Sequence, residues 1–599
     1  MRFRPPYFLS VVCAVCVVMM TAWVTLAQTA AADKVPVATG SGGAVASVDV
    51  DASRIGIDVL RQGGNAVDAA VATAAALGVT EPFSAGIGGG GFMVIYLHDH
   101  DRVITLDGRE EAPADITPDL FRDPDDPAGG NLPFFPNRIS SGLAVGVPGT
   151  PLNWQTALAR YGTLSLADAL APAIELAEVG FTVDQTFAQQ VARNQERFGA
   201  FTSTGQLYLP NGQPPVAGST FKNPDMASTY RLLAEHGVNS FYRGDIAEAI
   251  VNTVQAPPMV AQPPFTVQAG AMTLADLDRY EVRVRPPVVS DYRGYRFYGM
   301  GLPSSGGITV AQTLGLLESS DLGRLQRSDA LHRVIEAERL AFCDRNTYLG
   351  DPEYVDAPVT GLLSSDYISS FSLPERAAEP CTNPGNPLPY QTDPSPSLTQ
   401  VPAVAAGNSQ EGLSTTHLVT ADQFGNVVSY TLTIESTGGS GIVVPGYGFI
   451  LNNELTDFDT ALPHPNAPEP GKRPRSSMAP TIALAPDGRV LAFGSPGGST
   501  IITTVVGIAT NLIDFKMPLA DAIAAPRFSQ RNGLHTTFEE GLAAADIQSL
   551  ARLGHLSRFT NEIGAATGLE LFSNGIIQAA AEPNRRGGGA AIVVNPASE

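Results

Sequence analysis

Cysteine, histidine and tryptophan are scarce in this chain, with 4, 8 and 2 copies in 599 residues, and each shortage removes a class of chemistry. Cys13 and Cys16 sit in the apolar N-terminal run, which leaves Cys343 and Cys381 for the rest of the chain. Neither of these has a C-x-x-C neighbour, so a cysteine zinc site is not expected; a disulfide and two free thiols both stay open. No H-E-x-x-H and no G-x-S-x-G occurs, which argues against zinc proteases and against serine hydrolases of the elbow type. There is no block of Lys or Arg, and the formal net charge is -22, so a nucleic acid partner is not expected. No second apolar run matches the first in length, so the mature chain is expected to carry no membrane span.

What is present begins with an export signal. Met1-Arg2-Phe3-Arg4 is basic, Tyr7 to Ala27 is almost wholly apolar, and small residues follow, which is the order of a secretory leader. The leader is placed at 1–27, either cleaved or retained as an anchor. Hydrophobic residues make up 44% of the chain, enough for a large core. Periodicity predicts helices at Asp51–Arg61, Asn65–Leu77, Pro151–Tyr161, Leu166–Val179, Met226–His236, Ile246–Val254, Gly307–Glu318, Ser328–Arg345, Thr500–Ile513 and Leu542–Leu553. Strands are expected at Ala44–Val48, Phe92–Leu97, Val103–Asp107, Thr416–Thr420, Val427–Thr433, Thr481–Ala485, Val490–Phe493, Gly575–Ala580 and Ala590–Asn595. Between them, Pro374 to Gly412 is rich in Pro, Ser, Asn and Ala and reads as an exposed, mobile connection. The coarse picture is sheets with helices outside them.

That connection stops just before Leu413–Gly441, where Thr415 and Thr416 open one alternating segment, Asp422–Asn426 makes a turn, and a second segment carries Thr431 and Thr433. Two paired strands would bring hydroxyls from both sides together. A threonine hydroxyl needs an adjacent base, and a free N-terminal amine can serve. A cut between Ser414 and Thr415 would give the nucleophile its own amine. Gly494-Ser495-Pro496-Gly497-Gly498-Ser499 lies between a strand and a helix start, which suits an oxyanion hole. Glu454 and Asp457 are two carboxylates three apart, and Arg109 sits at a strand end. An arginine fork facing one way and two carboxylates the other would hold an amino acid's zwitterionic head, with Ser476 and Ser477 adding hydroxyls. Gly86 to Gly91 satisfies G-x-G-x-x-G, but a helix precedes it and a strand follows. That is the reverse of a dinucleotide site, so close backbone packing is the better account. The histidines of His98-Asp99-His100-Asp101 read as part of an exposed hairpin turn, not as metal ligands.

Jointly these pieces resemble the gamma-glutamyltransferase family of N-terminal-nucleophile hydrolases. The likeness rests on T-T-H at Thr415–His417, N-N-E-L-T-D-F at Asn452–Phe458, S-S-M-A-P-T at Ser476–Thr481 and G-S-P-G-G-S at Gly494–Ser499. G-G-G-G-F at Gly88–Phe92, D-G-R-E-E-A-P at Asp107–Pro113 and Y-L-G-D-P at Tyr348–Pro352 also match. The resemblance implies an α+β fold, a four-layer αββα sandwich. It implies self-cleavage into a large subunit, 28–414, and a small catalytic one, 415–599, forming one unit. It further implies that Thr415 attacks a γ-glutamyl carbonyl with its own amine as base, that Thr433 positions it, and that Gly497 and Gly498 stabilise the oxyanion. Arg109, Ser476 and Ser477 would hold the substrate α-carboxylate, and Glu454 and Asp457 the α-ammonium. Glutathione and related γ-glutamyl compounds are the donors so implied; water, amino acids or peptides are the acceptors, with no metal or cofactor.

Two departures stand out. Glu435 occupies a place where many relatives carry Asn as a substrate ligand, and the stretch between Phe458 and Pro474 looks shorter than in relatives whose lid covers the bound glutamyl group. An acylase of the same fold, acting on glutaryl or cephalosporin-type amides, is the main alternative, but its substrates lack the α-ammonium. A non-catalytic exported binding protein is the third.

Overall fold

The computed structural model describes residues 34–392 and 414–597. The leader at 1–27 and most of the connection before Thr415 fall outside the described residues. Segments rich in Val, Ile, Thr, Tyr and Phe pair into one 13-stranded path in which every pairing is antiparallel. Its strands are β1 (Val37–Ser47), β2 (Gly90–Leu97), β3 (Arg102–Gly108), β4 (Arg283–Arg285), β5 (Val288–Tyr292), β6 (Tyr295–Gly299), β7 (Thr416–Asp422), β8 (Val427–Thr433), β9 (Thr481–Leu484), β10 (Val490–Gly494), β11 (Thr567–Leu571), β12 (Ile577–Ala581) and β13 (Ala590–Pro596). The order is β4-β3-β2-β8-β7-β1-β12-β11-β10-β9-β6-β5, with β13 also on β1.

The path folds into two leaves at β1. Val37–Gly40 pairs with β12, whereas Gly43–Ala46 pairs with β7, and the register slips between Ser41 and Ala44. Gly42 and Gly43 sit at the slip with φ of 84° and 133°, a conformation side chains resist, so the bend falls on glycine. Facing side chains fill the gap between the leaves: Val94, Val419 and Val427 on one side, Ile482, Val490 and Leu569 on the other. Alternate residues point outward. After the first helix, α1 (Val50–Arg61), Leu418, Val428 and Tyr430 meet helices α2 (Ala66–Thr80), α3 (Thr150–Tyr161), α4 (Leu166–Val179) and α5 (Pro224–His236). On the other leaf, Phe297, Leu491 and Phe493 meet α6 (Gly306–Leu317), α7 (Arg327–Tyr348), α8 (Thr500–Ile513) and α9 (Leu519–Ala524). The result is helix, sheet, sheet, helix, as the resemblance implied.

Helix α2 is buried along its whole length, which its Ala- and Val-rich sequence permits. Asn65 and Asp68 form a capping box at its start, and the hydroxyl of Thr420 on β7 donates to the Ala66 carbonyl at 2.6 Å. The strand that begins beside Thr415 is thereby clamped to the central helix. The glycine run packs as expected: a Cβ on Gly88 would lie 2.0 Å from the Ile450 carbonyl oxygen, and one on Gly89 2.0 Å from that of Thr433. Cys343 and Cys381 form a disulfide. No helix among the described residues is long and apolar enough to cross a membrane.

Candidate active site

β7 and β8 form a hairpin closed by Asp422, whose Oδ1 accepts from the N–H groups of Phe424 and Asn426. The register pairs Leu432 with Thr416 and Thr431 with His417, so Thr433 comes opposite Thr415. Strand parity then separates the two adjacent threonines. Thr415, with His417 and Val419, faces the gap between the leaves; Thr416, with Leu418, faces the helices and leaves its hydroxyl buried without a partner. The Thr415 hydroxyl donates to Thr433 Oγ1 at 3.1 Å, and Thr433 Oγ1 also accepts the Glu435 N–H at 2.8 Å. Next along the gap, His417 Nδ1 lies 2.8 Å from Thr431 Oγ1. Burial lowers this imidazole to about 3, so it is neutral. Gly494 makes room for it, because a Cβ there would sit 2.4 Å from His417 Cε1.

The peptide before Thr415 is held from several sides. The Ser414 hydroxyl meets the Phe83 carbonyl at 2.9 Å and Ser84 Oγ at 3.0 Å. Arg586 donates to the Thr415 carbonyl at 2.7 Å and to Ser84 Oγ at 2.5 Å, with Glu81 at 3.5 Å. Thr415 itself has φ of 152°, costly for a β-branched residue and maintained here by these contacts. Arg586, Glu81 and Ser84 are parts of the site that the sequence reading missed; nothing in their local pattern marks them.

Thr415 opens onto a cleft of about 250 Å³ lined by Arg109, Ser414, Thr433, Glu435, Glu454, Asp457, Ser476, Ser477, Gly498 and two apolar side chains, Met478 and Ile501. All the residues singled out from the sequence therefore converge except Gly497, which does not line it. The Gly497 carbonyl instead accepts from Thr500 Oγ1 at 2.7 Å and closes the first turn of α8. The N–H of a trans peptide points opposite its carbonyl, so this same contact turns the Gly498 N–H away from α8. Residues 459–475 contribute nothing to the cleft wall. They fold back on one another, with Arg475 on Asp459 at 3.0 Å and Asn466 on the Asp457 carbonyl at 2.7 Å.

The amino-acid clamp differs from its sequence expectation in one respect. Arg109 and the carboxylates do not face apart; the guanidinium binds Glu454 directly and reaches Asp457 at 2.6 Å, with Glu110 at 3.9 Å. The reason is burial. Arg109 is only 1% exposed, and a buried cation without a counter-ion is strongly unfavourable. Burial works against the guanidinium, but Glu454, Asp457 and Glu110 more than offset it and raise its pKa. The carboxylates feel the same burial. Glu454 is raised against the pull of Arg109, and Glu110 is pushed up to about 7.

The rest of the wall is fixed from behind. Arg345 of α7 donates to Ser477 Oγ at 2.6 Å and to Ser305 Oγ at 2.9 Å. Asn453 donates to Glu435 at 2.6 Å, and Asn452 ties the Gly88 and Gly146 carbonyls at 2.7 and 2.8 Å. Both asparagines lie inside a motif already noticed, which was the available signal; Arg345 had none. Chemically, the arrangement sets one buried hydroxyl on another, with the Gly498 backbone and a group of mixed charge on the same cleft.

The comparisons with known proteins agree with this geometry. The profile described as Gamma-glutamyltranspeptidase matches residues 52–592. The glutathione hydrolase proenzyme of Bacillus subtilis (strain 168) is 39% identical over 93% of this chain and 92% of its own. The acylase ACY 1 proenzyme of Pseudomonas sp. (strain V22) is 35% identical over 86% and 88%. Among solved structures, a cephalosporin acylase from Bacillus halodurans superposes with a TM-score of 0.79 at 28% identity, covering 94% of this chain and 97% of the other.

Proposed function

Because the chain belongs to the gamma-glutamyltranspeptidase family, we propose that it is an autoprocessing γ-glutamyl hydrolase and transpeptidase with Thr415 as nucleophile. The observation that carries the reading is the Thr415–Thr433 hydroxyl pair at 3.1 Å, set at the mouth of a cleft that also holds Arg109, Glu454 and Asp457. In the precursor, Thr415 Oγ1 adds to the Ser414 carbonyl carbon, the C–N bond breaks, and acyl transfer leaves an ester that water hydrolyses. The products are a large subunit ending at Ser414 and a small one, 415–599, with a free α-amine on Thr415. The strained φ of Thr415 and the grip of Arg586 on its carbonyl support this step.

In the mature enzyme the α-amine accepts the Thr415 hydroxyl proton as Oγ1 attacks the γ-glutamyl carbonyl. The developing oxyanion is met by the Gly498 N–H, with Gly497 beside it. Collapse expels the donor's amine, which takes the proton, and leaves a γ-glutamyl ester on Thr415. Water then gives hydrolysis; an amino acid or peptide amine gives transfer. For the substrate head, the α-carboxylate takes the face of Arg109 together with Ser476 and Ser477. The α-ammonium takes Glu454 and Asp457, with Glu435 as a third acceptor. The zwitterion thus inserts into a pre-existing ion pair and supplies each partner with a replacement. Residues 1–27 act as an export leader in this reading.

A cephalosporin- or glutaryl-type acylase is the second reading, favoured by the fold match and by the 35% identity to the acylase ACY 1 proenzyme. Its substrates bring no α-ammonium to Glu454 and Asp457, which would keep Arg109 as their cation. The deciding experiment is release of a γ-glutamyl anilide with and without glycylglycine, run beside a glutaryl anilide. Turnover of the glutaryl compound alone would reverse the order. Intact mass should give two chains, the smaller beginning at Thr415. In Thr415→Ala neither the cut nor turnover is expected; normal maturation of that variant would remove the nucleophile assignment.

A further inference from the structure

A second cluster of reactive side chains lies away from the cleft. His332 and Glu336 stand one turn apart on α7, and His555 follows Gly554, the C-cap of the helix Ala544–Leu553. None of the three lines the cleft. One ligating atom from each falls within 4.8 Å of the others, and all three residues are buried, at 3%, 0% and 4% exposure.

Their hydrogen bonds define the protons. His332 Nε2 lies 2.9 Å from the Pro374 carbonyl oxygen, which can only accept, so this nitrogen carries the hydrogen. His332 Nδ1 is then a lone pair, and it accepts from His555 Nε2 at 2.8 Å. That assignment leaves His555 Nδ1 as a second lone pair, aimed at Glu336 Oε1 across 3.9 Å. Neither of these two atoms has a hydrogen-bond partner. The other carboxylate oxygen, Oε2, is already engaged, accepting the Ala378 N–H at 3.3 Å and facing Arg339 at 3.4 Å. A buried nitrogen lone pair facing a buried carboxylate oxygen is unfavourable for both unless a cation lies between them.

A proton is the first candidate, but the two atoms stand 3.9 Å apart, beyond hydrogen-bond reach, so a proton on either would leave the other unpaired. Two neutral imidazoles and one carboxylate form the donor set that suits zinc and its neighbours. The Pro374 carbonyl fixing the far nitrogen of His332 is the support that ligating histidines receive. We propose that His332, Glu336 and His555 form a structural binding site for a divalent transition metal of the zinc class, using His332 Nδ1, Glu336 Oε1 and one ring nitrogen of His555, the metal replacing the hydrogen bond from His555 Nε2 to His332 Nδ1. Arg339 opposes the bound charge but holds only Oε2, leaving Oε1 for the metal. Buried and apart from Thr415, the site does not serve the reaction; it ties α7 to the segment after Leu553, over 200 residues further along the chain.

The test uses full-length, untagged protein, treated with EDTA and returned to metal-free buffer. Titration with Zn²⁺ should load one equivalent by elemental analysis and raise the thermal midpoint, and Co²⁺ should give visible d–d absorption. Release of γ-glutamyl anilide should be unchanged by either treatment. His555→Ala should weaken metal binding by about 100-fold or more and lose the Co²⁺ spectrum; Glu336→Gln is the second variant if the first fails to fold. Absence of bound metal in the wild type after titration would overturn the site, as would an equal Zn²⁺ shift and Co²⁺ spectrum in both variants.

Discussion

Two buried polar clusters in this molecule meet the cost of burial in different ways. Around Arg109, a guanidinium and carboxylates balance one another at the wall of an open cleft. Around His555, a buried lone pair and a buried carboxylate oxygen face each other at 3.9 Å, neither with a hydrogen-bond partner. The first is paired yet exchangeable, because a zwitterion can replace each ion-pair partner with one of its own charges. The second is buried, lies away from the cleft, and has no such partner to exchange. Charge balance beside a cleft points to a reactant; imbalance away from one points to an ion.

The comparison is broken most severely at Arg109. Arg109→Ala removes the proposed partner of the substrate α-carboxylate, a loss of about 3–5 kcal/mol in binding energy, so kcat/KM for a γ-glutamyl anilide should fall by about 10²–10⁴. Steady-state kinetics measures it, and a KM within twofold of wild type would refute the clamp. Next in size is the disulfide, which closes a 38-residue separation and is worth at most ~4 kcal/mol by loop entropy. Cys381→Ser should lower the denaturant midpoint while leaving KM within about twofold, since Cys381 lies beyond Ala378, whose N–H holds Glu336, and does not line the cleft.

A smaller effect is expected at Glu110, where burial pushes the carboxyl up to about 7 from 4.5. The folded state holds this proton more tightly than the unfolded one. Its stabilisation is therefore complete below about pH 4.5 and declines as pH rises to about 7, by up to ~1.4 kcal/mol per unit. Glu110→Gln should flatten that portion of the stability profile in urea titrations at several pH values. Smallest of all, Glu336→Gln should leave γ-glutamyl turnover within about twofold of wild type. A large loss there would merge the two clusters into one.

Much of the fold was legible because its signals are local. Leu166–Val179, Val427–Thr433 and Thr500–Ile513 match to the residue, since periodicity and flanking turns mark them fully. Strand parity, a property of the sequence, also separates Thr415 from Thr416. Strands β4 to β6 were missed because they carry Arg283, Arg285, Arg293 and Arg296 in and around them, and lie at the exposed ends of the path. The parallel pairing of His535–Glu539 with Leu556–Thr560 joins two short segments that are individually ambiguous. The clamp was visible as residue types in motifs, but its closed ion pairs depend on burial, which no local window reports. His332 and His555 are 223 residues apart, and neither has a neighbour that would announce the other.

The bend at Gly42 and Gly43 has a consequence for the molecule after the proposed cut. It lets β1, a strand of the large subunit, pair with β7, β12 and β13, all of the small one. Elsewhere β8 pairs with β2 and β9 with β6, again across the cut. The two polypeptides are therefore interlaced, and neither can leave without tearing open the sheets that hold the other. They should not exchange with free subunits, and dilution should not lower the melting temperature, as it would for a dimer of separately folded parts. Two chains in composition, the mature protein would behave on melting as a single cooperative body.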